Sequence, residues 1–232
     1  MNTVLDRITL FLDSTKSITV KGFIEPIEHT LSNFHEEWDA LANLRVAEPE
    51  KNHPLSVFHA FLPIESVSVG ECWEIEKSGV KKLLQQLHPN PNLDMYLDSG
   101  DSQGLWACLR ACNQRFADIQ FRIHAELKLK DGWFTPSKFI GNLIIDRLEE
   151  EITFFKMYVP DGTVNFDVNW KEDQNEPYSI TDAGLIQRME LRAGTQEDSQ
   201  DIEYALHITE DEATRILKHA VLQIGTDQLG TT

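Results

Sequence analysis

Between Phe121 and Leu129 the chain alternates without a break: Phe121, Ile123, Ala125, Leu127 and Leu129 are apolar, and Arg122, His124, Glu126 and Lys128 stand between them. Side chains of a strand point to opposite faces in turn, so this spacing predicts a strand with one core face and one polar face. Further strands are predicted over Leu105–Ala111, Phe139–Asp146 and Ile152–Val159, the last two joined as a hairpin through the charged Arg147–Glu151 segment. Val164–Trp170 follows the turn Pro160-Asp161-Gly162, and Leu185–Leu191 and Ser17–Lys21 also alternate. Hairpin-like connections between strands favour antiparallel pairing. The expected class is therefore α+β, a mostly antiparallel sheet with a few flanking helices.

Three segments change to helical spacing. Leu31, Phe34, Trp38, Leu41 and Leu44 form one apolar stripe of an N-terminal amphipathic helix that ends near Arg45. Ser78–Leu87 carries Val80, Leu83, Leu84 and Leu87 at the same spacing and stops at His88-Pro89-Asn90-Pro91-Asn92, where two prolines forbid continuation. Thr209-Glu210-Asp211-Glu212 is a capping box that opens a C-terminal helix with Ala213, Ile216, Leu217, Ala220 and Val221 on its apolar stripe. The polar stretch Ala47–Pro54 and the acidic stretch Ala193–Gln200 read as linkers. The expected organisation is an N-terminal appendage over 1–60 and an α+β domain over 61–232.

Charge narrows the function classes. The 232 residues hold 21 Lys and Arg against 38 Asp and Glu, a formal charge of −17, which repels nucleic acid and anionic lipid surfaces. No apolar run reaches the roughly 18 residues of a membrane span, and the opening Met1–Arg7 lacks signal-peptide features, so a cytoplasmic protein is expected. Cys72, Cys108 and Cys112 are too few for a disulfide scaffold, and reduced thiols are expected. Glycine-rich phosphate loops, a nucleophile elbow and H-E-x-x-H are missing from the sequence, and no cofactor is expected.

Two constellations could carry chemistry. His124 and Glu126 share a strand face, and Asn165, Asp167 and Asn169 alternate in the same way, so adjacent strands would bring them into one polar cluster. The competing reading is a solvated sheet face with Arg122 and Lys128 as ion-pair partners, the norm for the outer face of an antiparallel sheet. Cys108 and Cys112 would be one turn apart on a helix, but on a strand they are some 13 Å apart, too far to bridge. Arg110 between them would lower a thiol pKa only from the same face. Inert buried thiols are the plainer expectation, for Cys72 as well.

The segment Phe121-Arg122-Ile123-His124-Ala125-Glu126-Leu127 resembles selenoprotein N and its bacterial relatives. The likeness continues through Trp133–Gly141, Phe155–Pro160, Asn165–Trp170 and Met189–Leu191, with Gly104–Leu109 and Leu87-His88-Pro89 upstream and Thr209–Ala220 downstream. It covers about Phe61 to Leu222. The resemblance implies that the family's redox chemistry, carried by a selenocysteine or cysteine motif in a later thioredoxin-like domain, lies outside these residues, so the expectation is the non-redox domain standing alone. Relatives tend to have a histidine after the F-x-G turn where this chain has Asn142, a departure from the resemblance that weakens a two-histidine metal site. The family's calcium-binding and membrane-anchoring segments have no counterpart in residues 1–60.

Three functions remain open at this stage. The first is a non-catalytic module that binds a ligand or partner through its polar sheet face, with His124, Glu126, Asn165, Asp167 and Glu190 as site residues. A separate thioredoxin-like protein is the implied partner, and the oligomeric state is undetermined. The second is a thiol oxidoreductase using Cys108 with Cys112 or Cys72. The third is a metal site built from His124, Glu126 and Asp167.

Overall fold

The strand announced by the alternation at Phe121 begins five residues earlier. β6 (Phe116–Lys128) pairs along its whole length with β7 (Phe134–Asp146), from Phe116 opposite Asp146 to Lys128 opposite Phe134. The structure, a computed structural model, describes residues 7–25, 45–93, 104–128, 134–160, 166–168, 178–180, 189–195, 199 and 201–227. β5 (Leu105–Cys112) flanks β6, and β8 (Glu151–Tyr158) flanks β7. Beyond β8 come β11 (Met189–Ala193), β1 (Ser17–Ile24) and β2 (Glu50–Pro54), and β12 (Leu206–His207) lies at the opposite edge beside β5. Four short strands attach to this row. β3 (Cys72–Glu74) pairs with β5, β4 (Pro91–Asn92) with β6, β9 (Phe166–Val168) with β7, and β10 (Tyr178–Ile180) with β9. Every pairing is antiparallel, as expected for the α+β class.

Strands on both sides of the expected boundary at residues 60 and 61 share this sheet, because β1 is hydrogen-bonded between β11 and β2. The N-terminal helix expected over 30–44 lies outside the described residues. So do Asn165, Asn169 and Trp170 at the ends of the strand expected over Val164–Trp170, and residues 185–188 ahead of β11. Of the acidic linker, only 193–195 and 199 are described.

One face of the sheet carries the main core. A 3-10 helix, Leu55–Phe61, and α1 (Lys77–Leu87) lie over it, and α1 buries the Val80, Leu83, Leu84 and Leu87 that its spacing predicted. Phe61 meets Phe121 with ring centroids 4.8 Å apart, and Phe58 meets Phe155 edge-on at 5.1 Å. Such offset and tilted pairs add about 1 kcal/mol each beyond the area they bury. Gln86 is the polar exception on α1. It donates to the Val20 carbonyl at 2.8 Å and meets the His53 ring nitrogen at 3.0 Å, which ties the helix to β1 and β2.

The second helix, α2 (Glu210–Asp227), begins with the predicted cap: the Glu212 amide donates to the Thr209 hydroxyl at 3.1 Å. It lies on the other face of the sheet, where Ala213, Leu217 and Ala220 pack on Trp106 and Cys108. Between β7 and β8 the turn is stapled by Asp146, whose carboxylate accepts the amides of Leu148 at 3.0 Å and Glu149 at 3.2 Å and the Arg115 guanidinium at 2.7 Å. Burial works against ionisation of Asp146, but these donors outweigh it and hold the carboxyl below its ordinary value. Stability from this group is therefore present above the unfolded carboxyl pKa and is lost as pH falls through the lower folded value.

Close strand packing turns on Gly141 in the middle of β7. A Cβ there would lie 1.9 Å from the Lys156 carbonyl oxygen and 2.6 Å from the edge of the Phe121 ring, so any side chain must push β8 or the aromatic cluster aside. Gly141→Ala is expected to destabilise the fold by about 3 kcal/mol in urea unfolding. Asp146→Asn is expected to cost about 1–2 kcal/mol at neutral pH, a deficit that narrows as pH falls below ~4.

Candidate functional site

On β6 the even-numbered side chains face away from the main core, and this polar face is not solvated. Asp118, Gln120, Arg122 and His124 are 2%, 8%, 4% and 6% exposed. That corrects the expectation of a solvent-facing row with Arg122 as a surface ion-pair partner. Part of this shielding comes from α2, which packs over β3 and β5 and hydrogen-bonds to β6: Gln120 Nε2 donates to Thr214 Oγ1 at 2.9 Å.

Burying charge on a sheet requires partners close at hand. Asp118 receives Arg110 Nε at 2.9 Å, a second contact from the same guanidinium, and Asn142 Nδ2 at 2.9 Å. The Arg110 guanidinium also sits 5.5 Å from the centroid of the Tyr204 ring. Burial pushes the Asp118 carboxyl up, opposed by Arg110 and the Asn142 amide. Burial also works against the Arg110 charge, and Asp118 more than offsets it, so the guanidinium stays charged. Sequence reasoning missed this trio. The available signal was Asp118 itself, an acid two residues before Gln120 in phase with the polar positions of β6.

Arg110 reaches Asp118 because of a bulge. Leu109 pairs with Ile119 and Ala111 with Asp118, so β5 carries one residue more than β6 at this point. The extra residue reverses the alternation. Leu105, Ala107, Leu109 and Cys112 belong to the main core, whereas Trp106 and Cys108 belong to the cluster beneath α2. Cys108 and Cys112 are thus on opposite faces, and the structure does not bring them together.

The remaining predicted residues are spread along the sheet. Glu126, two positions past His124, accepts Asn92 Nδ2 at 3.2 Å and so holds β4 against β6. Asp167 is paired with Phe134 at the start of β7, four residues from the Lys138 that pairs with His124, a separation of about 13 Å along the strand. Glu190 is on β11, three strands from β6. Asn165 lies outside the described residues. Among the described residues, no group of three His, Cys, Asp or Glu side chains could hold a metal ion.

Around Glu190 the same face of the sheet opens into a cleft of about 530 Å³. In register across three neighbouring strands stand Lys21 of β1, Arg192 of β11 and Lys156 of β8, and all three line the cleft. Glu190, 4% exposed, lies on its floor with Oε2 3.9 Å from Lys156 Nζ and Oε1 3.7 Å from Arg192 Nε. Lys156 Nζ also lies 4.5 Å from the Tyr158 ring centroid, and Arg192 lies 5.1 Å from that of Phe23, so aromatic faces help to orient both cations. Thr19 and Thr195 add hydroxyls to the wall. At the end of β11, Gly194 turns with φ 74°, and a Cβ would lie 2.3 Å from the Thr153 carbonyl oxygen, so this wall closes only around a glycine. The strand phase of Glu190 was legible in the sequence. The cation row was not, because Lys21, Lys156 and Arg192 come from segments that only the topology makes neighbours.

A comparison with curated proteins finds selenoprotein N of Danio rerio 36% identical over 121 residues, 49% of this chain and 21% of that protein. Human selenoprotein N is 27% identical over 222 residues, 82% of this chain and 36% of that protein, and the mouse protein is 31% identical over 121 residues. The chain is related to selenoprotein N. It spans between about a fifth and about a third of the length of these relatives. No family model matches the sequence, and no solved structure matches the chain. Of the segments that carry the resemblance noted in the sequence, Phe121–Leu127 falls on β6, the described part of Trp133–Gly141 on β7, Phe155–Pro160 on β8 and the two residues after it, and Met189–Leu191 on β11, four adjacent strands that run from the Asp118 trio to the Glu190 cleft. Among the described residues no helix is long and apolar enough to cross a membrane.

Removing one member of a buried ion pair leaves the other charge stranded, whereas replacing both with apolar groups removes the problem. Asp118→Ala is expected to destabilise the protein by about 3 kcal/mol in urea unfolding, and the Arg110→Met/Asp118→Leu double variant is expected to recover most of that loss.

Proposed function

We propose that this selenoprotein N-like chain is a non-catalytic binding module whose Glu190 cleft receives an anionic group presented by a small ligand or a partner protein. The observation that carries the reading is the row Lys21, Arg192 and Lys156, three cations to one carboxylate in a single cleft of a chain whose formal charge is −17. A concave cationic site in an otherwise acidic protein concentrates field lines and draws in anions selectively. Glu190 lies at ion-pair distance from both Lys156 and Arg192, which keeps the two cations beside the cleft. A separate thioredoxin-like protein stays the proposed partner on the strength of the family resemblance, with an acidic surface group as the element that enters the cleft.

A thiol oxidoreductase using Cys108 with Cys112 gains nothing from the geometry, since the two thiols face opposite sides of the sheet. A metal site of His124, Glu126 and Asp167 is not favoured by the pairing register, which separates His124 from Asp167 along β7.

Titration of the chain with inorganic pyrophosphate, and separately with a glutamate-rich peptide, tests the binding reading by calorimetry. Saturable binding that weakens with added salt is expected for at least one of the two, and the Lys156→Gln/Arg192→Gln double variant is expected to lose tenfold or more in affinity, about 1.4 kcal/mol, when titrated below its melting temperature, which falls because the buried Glu190 carboxylate is left without its cations. Equal affinity in the double variant, or no binding of either probe at millimolar concentration, overturns it.

A further inference from the structure

Cys72 of β3 and Cys108 of β5 stand directly opposite each other in the antiparallel register. The backbone fixes what kind of pair they form. Ile75 N donates to the Leu105 carbonyl at 2.8 Å, and Leu109 N donates to the Glu71 carbonyl at 3.1 Å. Hydrogen-bonded and non-hydrogen-bonded positions alternate along such a ladder, so Cys72 and Cys108 occupy a non-hydrogen-bonded pair. There the Cα atoms approach to about 4.5 Å and the side chains lean together, within the span of roughly 4.4–6.8 Å that a disulfide bridges. Both side chains lie in the cluster under α2 with Trp106, Ala213 and Leu217, so they share a face. Both are thiols in this structure, and Cys112 is excluded from the pair by its place in the main core.

We propose that Cys72 and Cys108 are a modification site at which a small-molecule disulfide oxidises the two thiols to a cross-strand bridge. The deprotonated Cys72 sulfur attacks one sulfur of glutathione disulfide, forms a mixed disulfide and expels one glutathione thiolate, which takes up the Cys72 proton. Cys108 then gives its proton to solvent and attacks the Cys72 sulfur, and the second glutathione leaves as a thiolate that is reprotonated. Two protein thiols are oxidised and one disulfide is reduced to two thiols. Burial pushes the Cys108 thiol up to about 12, with Cys72 adding to the rise, and burial also raises the more exposed Cys72. The exchange is accordingly slow, as suits a latch and not a turnover catalyst. The bridge would fasten β3, whose described pairing is with β5, to the sheet beneath α2. It is independent of the Glu190 cleft.

The test is to refold the full chain in a glutathione redox buffer, block residual thiols and map disulfides by peptide mass spectrometry, with the native chain incubated in parallel. Refolding opens all three thiols to exchange, so slow access in the native state cannot hide the preference. The expected product links the Cys72 and Cys108 peptides, leaves Cys112 blocked as a thiol, forms equally well in Cys112→Ser and raises the melting temperature by roughly 5–10 °C over the reduced protein. A comparable yield of Cys72–Cys112 or Cys108–Cys112, intermolecular dimers as the main product, or glutathione retained on Cys72 beside an unoxidised Cys108 overturns the proposal. Failure of the refolded chain to form any bridge overturns it equally.

Discussion

β6 has an alternating sequence of the kind that usually marks a half-buried strand, yet both of its faces are shielded from water. Of its four buried polar side chains, Asp118 and Gln120 draw their partners from the elements packed around it. The bulge in β5 turns Arg110 toward Asp118, β7 contributes Asn142 from the next strand over, and α2 contributes Thr214 to Gln120. A buried charge costs several kcal/mol unless such contacts are in place, so Asp118 depends on the bulge that brings Arg110 to it and on Asn142 of the β6–β7 hairpin. This makes the outer layer of the sheet a specific structure instead of a loosely packed second skin.

The outer face is consequently divided. Where α2 lies on it, Gln120 is bonded to the helix through Thr214 and Asp118 is paired within the sheet to Arg110 and Asn142. Across β8, β11 and β1 the same face is open, and there the polar groups converge on a cleft. His124 and Glu190 therefore belong to different environments although both are buried acids or bases on one face of one sheet. The first is sealed beside a structural network, while the second sits on the floor of a site with an entrance. Polarity in a strand marks a binding face only where nothing else has been laid over it.

Much of the fold was legible in the sequence for reasons that hold locally. Alternation marked β6 and the start of β1, strand-like apolar runs joined by a charged turn or lying beside them marked β5, β7 and β8, helical spacing marked α1, and the capping box marked the start of α2 within one residue. The strands β3, β4 and β12 carry too few residues to show a period, and they exist because a longer neighbour offers an unpaired edge. The site was less legible. Glu126 has the right strand phase, but its Asn92 partner comes from a proline-rich segment that reads only as a helix terminator. The row Lys21, Arg192 and Lys156 depends on β1 and β8 both pairing with β11, a fact of topology with no local signature.

The cysteines show most clearly how one residue of register decides chemistry. An unbroken strand would put Cys108 and Cys112 on one face with Arg110 between them, a setting in which a cation could stabilise a thiolate. Because Arg110 and Ala111 both lie opposite Asp118, the alternation slips by one and Cys112 turns into the main core. Arg110 is then spent on a carboxylate and not on a thiol. The same slip leaves Cys108 facing Cys72 across β3, at the kind of strand position where side chains come closest. The two sulfurs that are nearest in sequence are thereby separated, and the two that are 36 positions apart are brought face to face. A bulge placed to neutralise Asp118 thus also selects which thiols can ever meet.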